Sequence, residues 1–270
     1  MASVILPFRP NKLAFPGTKP GFDPTHPAAG SSISASVLPQ NSGVPYNLTT
    51  GVYADAVVGP GSHTWGWGPS NVIGVNVYAV FSNLIPAATY TKITFACITA
   101  SNSWGSSSLW DAGQVAGVAT DASGNIGFYI SAVSVANSGL IPSIDTPYFI
   151  VVSASSTAQV CNFLLFNLRT GTYQTAPIST SAFSISLMDS RFALGTSSHI
   201  GFFNSPYGIS AAMASDAFLS IPQMLAWAQD PWSFWYPQKL DLAEVLSSPL
   251  PVGPPTTINL GILGLTAAEW

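Results

Sequence analysis

The sequence predicts an all-β protein: a two-sheet antiparallel jelly-roll sandwich with one short C-terminal helix and extended N- and C-terminal arms. Three observations predict it. Runs rich in Val, Ile, Thr, Phe and Tyr recur about every 10–15 residues, with turn signals between them and no helical pattern intervening. Charge is scarce: 7 Lys and Arg and 11 Asp and Glu in 270 residues, 7 % of the chain, where a typical soluble domain carries roughly 25 %. Hydrophobic residues nevertheless stand at 47 %, enough for a large core. This balance excludes a disordered chain, which needs low hydrophobicity and high net charge. It also excludes a helical bundle built on Glu, Lys and Arg. A net charge of −4 with seven basic residues leaves no footprint for nucleic acid.

In chain order, residues 1–30 form a Pro-rich arm. It holds Pro7, Pro10, Pro16, Pro20, Pro24 and Pro27 and three of the basic residues. Proline fixes φ and cannot donate to a sheet ladder, so this segment reads as extended. Residues 31–238 are the sandwich. The expected strands are 71–81, 91–99, 114–120, 126–133, 148–153, 160–168, 183–188 and 199–203. Turn clusters stand at Asp121-Ala122-Ser123-Gly124-Asn125 and Arg169-Thr170-Gly171. One helix follows. Ser220 can cap it, Pro222 suits its first turn, and Asp230-Pro231 stops it. The aromatic cluster Trp227, Trp232, Phe234, Trp235 and Tyr236 then reads as a plug sealing one end of the sandwich. Residues 239–270 are a second Pro-rich arm with an apolar end. Such an arm packs either on its own body or on a neighbouring subunit.

The termini and cysteines bound the setting. MASVILPFRP lacks a basic n-region and a long apolar core, and no apolar run reaches the roughly 18 residues that cross a bilayer. Synthesis in a cytoplasm without membrane insertion is expected. Cys97 and Cys161 lie in apolar, strand-like runs. They read as buried thiols, a disulfide being the alternative if their strands are neighbours.

Few groups offer chemistry. The only Glu residues, Glu244 and Glu269, lie in the C-terminal arm, so the body lacks the usual carboxylate pair of a glycoside hydrolase. No two acids alternate on one strand face. His26, His63 and His199 accompany no Gly-x-Ser-x-Gly elbow, and no Cys-x-x-Cys exists. No catalytic set, cofactor or metal is therefore expected. Asp121 and Asn125 could join a calcium site, with a simple β-turn the alternative. Trp65 and Trp67 in a Gly-flanked pair, and Trp104 and Trp110 around Ser106–Ser108, are the candidate glycan-stacking rings. The other reading is that they anchor their loops to the body.

The sequence also carries motifs. Leu194-Gly195, residues 199–203, Ser205-Pro206-Tyr207-Gly208, Leu219-Ser220 and Asp230-Pro231-Trp232-Ser233-Phe234-Trp235-Tyr236-Pro237 follow in order. Lys19-Pro20-Gly21-Phe22-Asp23 and His26-Pro27-Ala28-Ala29-Gly30 precede them, with 113–118 and 121–128 between. Together they resemble a laminin-G-like domain of the concanavalin A-like lectin/glucanase superfamily, in the form found in tailed-bacteriophage and prophage proteins. That resemblance covers residues 19–238. It implies a two-sheet jelly roll and a virion origin.

The expectation is a non-catalytic structural protein of a tailed-phage particle: a head decoration, tail or baseplate component. It would assemble with itself, a trimer being preferred and a dimer the alternative, and with other virion proteins. A carbohydrate-binding adhesion module contacting the host surface is the second reading, and a glycoside hydrolase the third.

Overall fold

The computed structural model describes residues 23–31, 88–187 apart from 102, 113, 114 and 132, 192–194 and 207–235. It also gives the backbone of strand segments at 4–5, 33–37, 46–48, 52–53, 56–58, 61–65, 68–73 and 78–81. The chain divides into two units, Met1–Pro237 and Gln238–Trp270, and every described residue belongs to the first. No helix among them is long and apolar enough to cross a membrane.

Antiparallel pairing dominates. The larger sheet runs in the order Val4–Ile5, Thr172–Ser179, Val160–Asn167, Tyr148–Ser155, Lys92–Ser101, Tyr207–Ser215, Ile33–Val37, Tyr46–Asn47 and Val52–Tyr53. A hairpin of Gly61–Trp65 and Gly68–Ile73 joins it beside Tyr207–Ser215. The smaller sheet runs Val133–Asn137, Ile126–Ile130, Ala116–Thr120, Ser108–Ala112, Phe192–Leu194, Tyr78–Phe81 and Ala56–Val58. Thr89–Tyr90 and Ile185–Ser186 form a separate short pair. The fold is an all-β sandwich, with one helix among the described residues.

Both faces of the larger sheet are covered, and this explains its apolar strands. Side chains alternate across a strand. Ile93, Phe95 and Cys97 on one face, with Ile150, Val152, Phe163 and Leu165, meet Trp110, Val118 and Phe128 of the smaller sheet. Ala96, Ile98 and Ala100 on the other, with Phe149, Val151, Leu164 and Met213, meet a second cover. That cover is the helix Ile221–Ala228, the turn carrying Trp232, Phe234 and Trp235, and Ala28 and Ala29. A strand buried on both faces loses its polar alternation, as Tyr148–Ser155 does along its whole length.

The helix forms where the sequence places it. Gln223 Oε1 accepts the Ser220 backbone N–H at 2.9 Å and its hydroxyl at 2.8 Å, and Pro222 costs nothing where N–H groups lack intrahelical partners. Trp227 packs edge-on to Phe149 at 4.9 Å and lies 5.8 Å from both Phe234 and Trp235. Trp227, Trp232, Phe234 and Trp235 are therefore buried together, but they cover the outer face of the larger sheet and do not seal one end of the sandwich as expected, because the apolar face offered by Ala96, Ile98, Phe149, Val151 and Leu164 takes them. Tyr236 lies outside the described residues.

Several strand expectations change. The run 71–81 is not one strand: Gly68–Ile73 belongs to the larger sheet and Tyr78–Phe81 to the smaller. The run 126–133 breaks at Ser131, whose φ of 48° turns the chain, and Val133–Asn137 folds back on Ile126–Ile130. Tyr207–Ser215 is a strand with little β-branched signature, and Thr172–Ser179 is a strand despite Pro177 within it. The segment 199–203 lies outside the described residues. Cys97 and Cys161 are free and buried. Their strands are separated by Tyr148–Ser155, so their backbones stand roughly 10 Å apart or more, too far for a disulfide. Burial pushes both thiols far above the ordinary cysteine range.

Candidate functional site

One end of the sandwich is built from three connected loops. Lys92–Ser101 delivers the first, around Trp104. Ala116–Thr120 delivers the second, the Asp121–Asn125 turn. The third runs from Asn137 to Pro147 and leads into Tyr148–Ser155. Hydrogen bonds lace them together. The Trp104 indole N–H donates to the Ser143 carbonyl at 3.2 Å, and the Ser143 N–H donates to the Tyr148 hydroxyl at 3.1 Å. Asp145 N–H reaches the Ser101 carbonyl at 2.7 Å, and Ser106 N–H reaches the Asp121 carbonyl at 2.8 Å. The Thr120 hydroxyl donates to the Trp104 carbonyl.

Asp121 is the hub of this end. One carboxylate oxygen accepts the N–H groups of Ser123 at 2.8 Å and Asn125 at 2.9 Å. The other accepts the side-chain amides of Asn125 and Asn137, each at 2.9 Å. A carboxylate offers about four lone-pair positions, and four donors fill them. Burial pushes the Asp121 pKa up, but the bonds from Asn125, Asn137 and Ser123 outweigh it and hold the group below its ordinary value. The loop pattern is therefore a braced turn. A cation at Asp121 would have to displace N–H donors from both oxygens. Among the described residues, no three His, Cys, Asp or Glu are grouped to hold a metal ion.

The consequence is a pair of amides held side by side. Asn125 and Asn137 each spend one N–H on Asp121. Asn137 also accepts the Gly139 N–H at 3.0 Å. Each amide retains a second N–H, and each oxygen retains acceptor capacity. Ile141 and Ile144, 53 % and 60 % exposed, stand on the adjoining loop. Gly124 is favoured by its backbone, whose φ of +85° side chains rarely adopt; a Cβ there would stand in ordinary contact with Ile141 Cγ2 at 3.4 Å and Trp104 Cβ at 3.5 Å.

The ring candidates fall elsewhere. Trp110 is fully buried and stacks on Phe95 at 5.1 Å with planes 15° apart. Trp104 is 4 % exposed. Neither ring can stack on a sugar in this fold; both hold the loops to the core, because burying a large aromatic outweighs displaying it. Trp65 ends the strand Gly61–Trp65, with its side chain outside the described residues, as is all of Trp67. The Asn125–Asn137 pair went unread in the sequence. The only signal was the Asp121–Asn125 spacing, and nothing local points to Asn137.

Tyr129 lies near this hub. Burial, and then the Asp121 charge, push its hydroxyl pKa up.

No family model matches the chain, and no curated protein matches it in sequence. Solved structures do. The chain is similar in fold to a part of sialidase chains. Trypanosoma rangeli sialidase in complex with sialic acid superposes with a TM-score of 0.51 at 13 % identity, over 76 % of this chain and 34 % of that one. The same enzyme in complex with a difluoro-KDN compound gives 0.52 at 14 % identity, over 82 % and 37 %. A tailspike domain of bacteriophage CBA120 gives only 0.42 at 14 % identity, over 63 % and 29 %. The chain thus spans about a third of the sialidase chains that it matches. The likeness supports the β-sandwich and does not reach the laminin-G-like assignment.

These matches correct one expectation. A protein that is not an enzyme was expected because the body lacks Glu. Sialidases are glycoside hydrolases that depart from the two-carboxylate scheme, using a Tyr nucleophile. Absence of a carboxylate pair therefore excludes one catalytic solution and not catalysis.

Proposed function

We propose that this chain is a carbohydrate-recognition sandwich module of a tailed-phage particle, presenting the Asn125–Asn137 end to a surface glycan. One observation carries the reading: two exposed or half-exposed amides are pinned on one carboxylate at 2.9 Å each, on the end whose adjoining loop carries the exposed Ile141 and Ile144. A sugar hydroxyl both donates and accepts. An amide N–H and an amide oxygen held in fixed geometry satisfy both functions without paying for side-chain ordering. Exposed apolar side chains on that loop suit the C–H face of a pyranose. The likeness to about a third of the sialidase chains supports the β-sandwich that carries this end and says nothing of which sugar it takes. The virion setting rests on the motif resemblance; assembly with other virion proteins and a homo-oligomeric, preferably trimeric, state rests on the Pro-rich arms, the apolar C-terminal end and the sparse charge.

A glycan array tests the site. The wild-type protein should bind at least one glycan class, and the Asn125→Ala/Asn137→Ala double variant should lose about tenfold or more in affinity, which is about 1.4 kcal/mol. Its melting temperature should fall by only a few degrees, since the loops keep their backbone lacing. Unchanged binding by the double variant sinks the assignment of this end. Mass spectrometry of purified particles tests the setting.

A further inference from the structure

We propose that the glycan taken at this end is neutral, and that sialylated or otherwise acidic glycans are disfavoured there. This rests on the carbohydrate-recognition reading and deepens it. A sugar carboxylate is recognised by a cation, most often a bidentate Arg. The Asn125–Asn137 pair has the opposite setting. Its amides are uncharged, and the group immediately behind them is the Asp121 carboxylate, which four N–H donors stabilise as the anion. Asp145 adds a second carboxyl to the adjoining loop.

Basic residues are scarce everywhere: seven in the chain. Of the two among the described residues, Lys92 begins the ten-residue strand whose other end, Ser101, approaches the site. That places it roughly 30 Å away along the strand. Arg169 follows Leu168, whose N–H donates to the Pro147 carbonyl at 3.0 Å, so it belongs to the larger sheet's side of this end. An acidic sugar would therefore bring its charge toward the Asp121 anion, and among the described residues no basic side chain is hydrogen-bonded to the amide pair or to Asp121. A neutral vicinal diol meets donors and acceptors alone.

Binding of lactose and of the same sugar capped with sialic acid, 3′-sialyllactose, both presented on a neutral carrier at low and high salt, tests this. The expected result is about tenfold weaker binding of the sialylated form at low salt, with the gap narrowing as salt screens the repulsion. Ser123→Arg, an exposed position bonded to the hub, should shift the preference toward the sialylated form. Arg169→Ala should leave it unchanged. Equal or stronger binding of the sialylated probe by the wild-type protein, or loss of its binding in Arg169→Ala alone, overturns the neutral-ligand inference and leaves the recognition reading standing. Binding of neither probe, nor of any neutral glycan on a wider array, overturns both.

Discussion

Trp110 shows what a single residue contributes here. It is wholly buried and stacked on Phe95, so Trp110→Ala should cost about 3–5 kcal/mol. Urea denaturation would read this as a lower midpoint, and the folded variant should keep its glycan binding. A loss of binding at unchanged stability would restore Trp110 to the site. His26 gives the molecule a pH dependence. It packs 4.6 Å from Trp227 and 5.5 Å from Phe234 and accepts the Ala28 N–H. Burial lowers its pKa from 6.5 to about 4, against the Asp23 carboxylate, which raises it. The unfolded imidazole therefore takes its proton near pH 6.5 and the folded one only near pH 4. Stability from this group is present above pH 6.5, is lost as pH falls from 6.5 to 4, and levels off below. The melting temperature should follow that course, and His26→Gln should flatten it.

At the scale of elements, the outer cover of the larger sheet is the part most open to testing. The helix Ile221–Ala228 contributes Met224, Trp227 and Ala228 to it. The indole N–H groups of Trp227 and Trp235 find no hydrogen-bond partner, so these rings stabilise by area and ring packing. Trp227→Ala should cost about 3–5 kcal/mol. It should also raise amide exchange in the strands beneath, Lys92–Ser101 and Tyr148–Ser155. A helix that packs independently of the sheet would leave their exchange unchanged. Cysteine labelling gives a second check on the same strands. Cys97 and Cys161 should stay unreactive toward a thiol reagent in the native protein and react at the rate of global opening, because burial keeps both protonated. The Ala-rich strand Tyr207–Ser215 shows why elements were missed in the sequence. Its Ala211, Ala212 and Ala214 have no strand preference of their own. They sit in the sheet because backbone pairing with Lys92–Ser101 and Ile33–Val37 holds both edges of the strand, and their small side chains pack under the layers that cover its two faces.

Across the whole molecule, composition and alternation decided a great deal. Scarce charge, β-rich runs and turn clusters determined an all-β sandwich with a single helix at Ser220, because these features depend on residues close in the chain. The same local reading located the aromatic cluster around Trp232–Trp235 and the braced turn at Asp121. It could not assign the tryptophans to inside or outside, since Trp104 and Trp110 are equally apolar in either place. Only packing against Phe95 and the third loop decided that. Nor could it divide 71–81 between two sheets: each half has one partner nearby, Gly61–Trp65 or Ala56–Val58, but the strands that tie the halves to different sheets lie over a hundred residues away, at Tyr207–Ser215 and Phe192–Leu194. The site is the clearest case. Asp121 and Asn125 are neighbours in sequence, but Asn137 joins them only because Val133–Asn137 folds back along Ile126–Ile130. Local chemistry is written in the chain. Which groups share a surface is set by long-range pairing, and no short stretch of sequence carries that information.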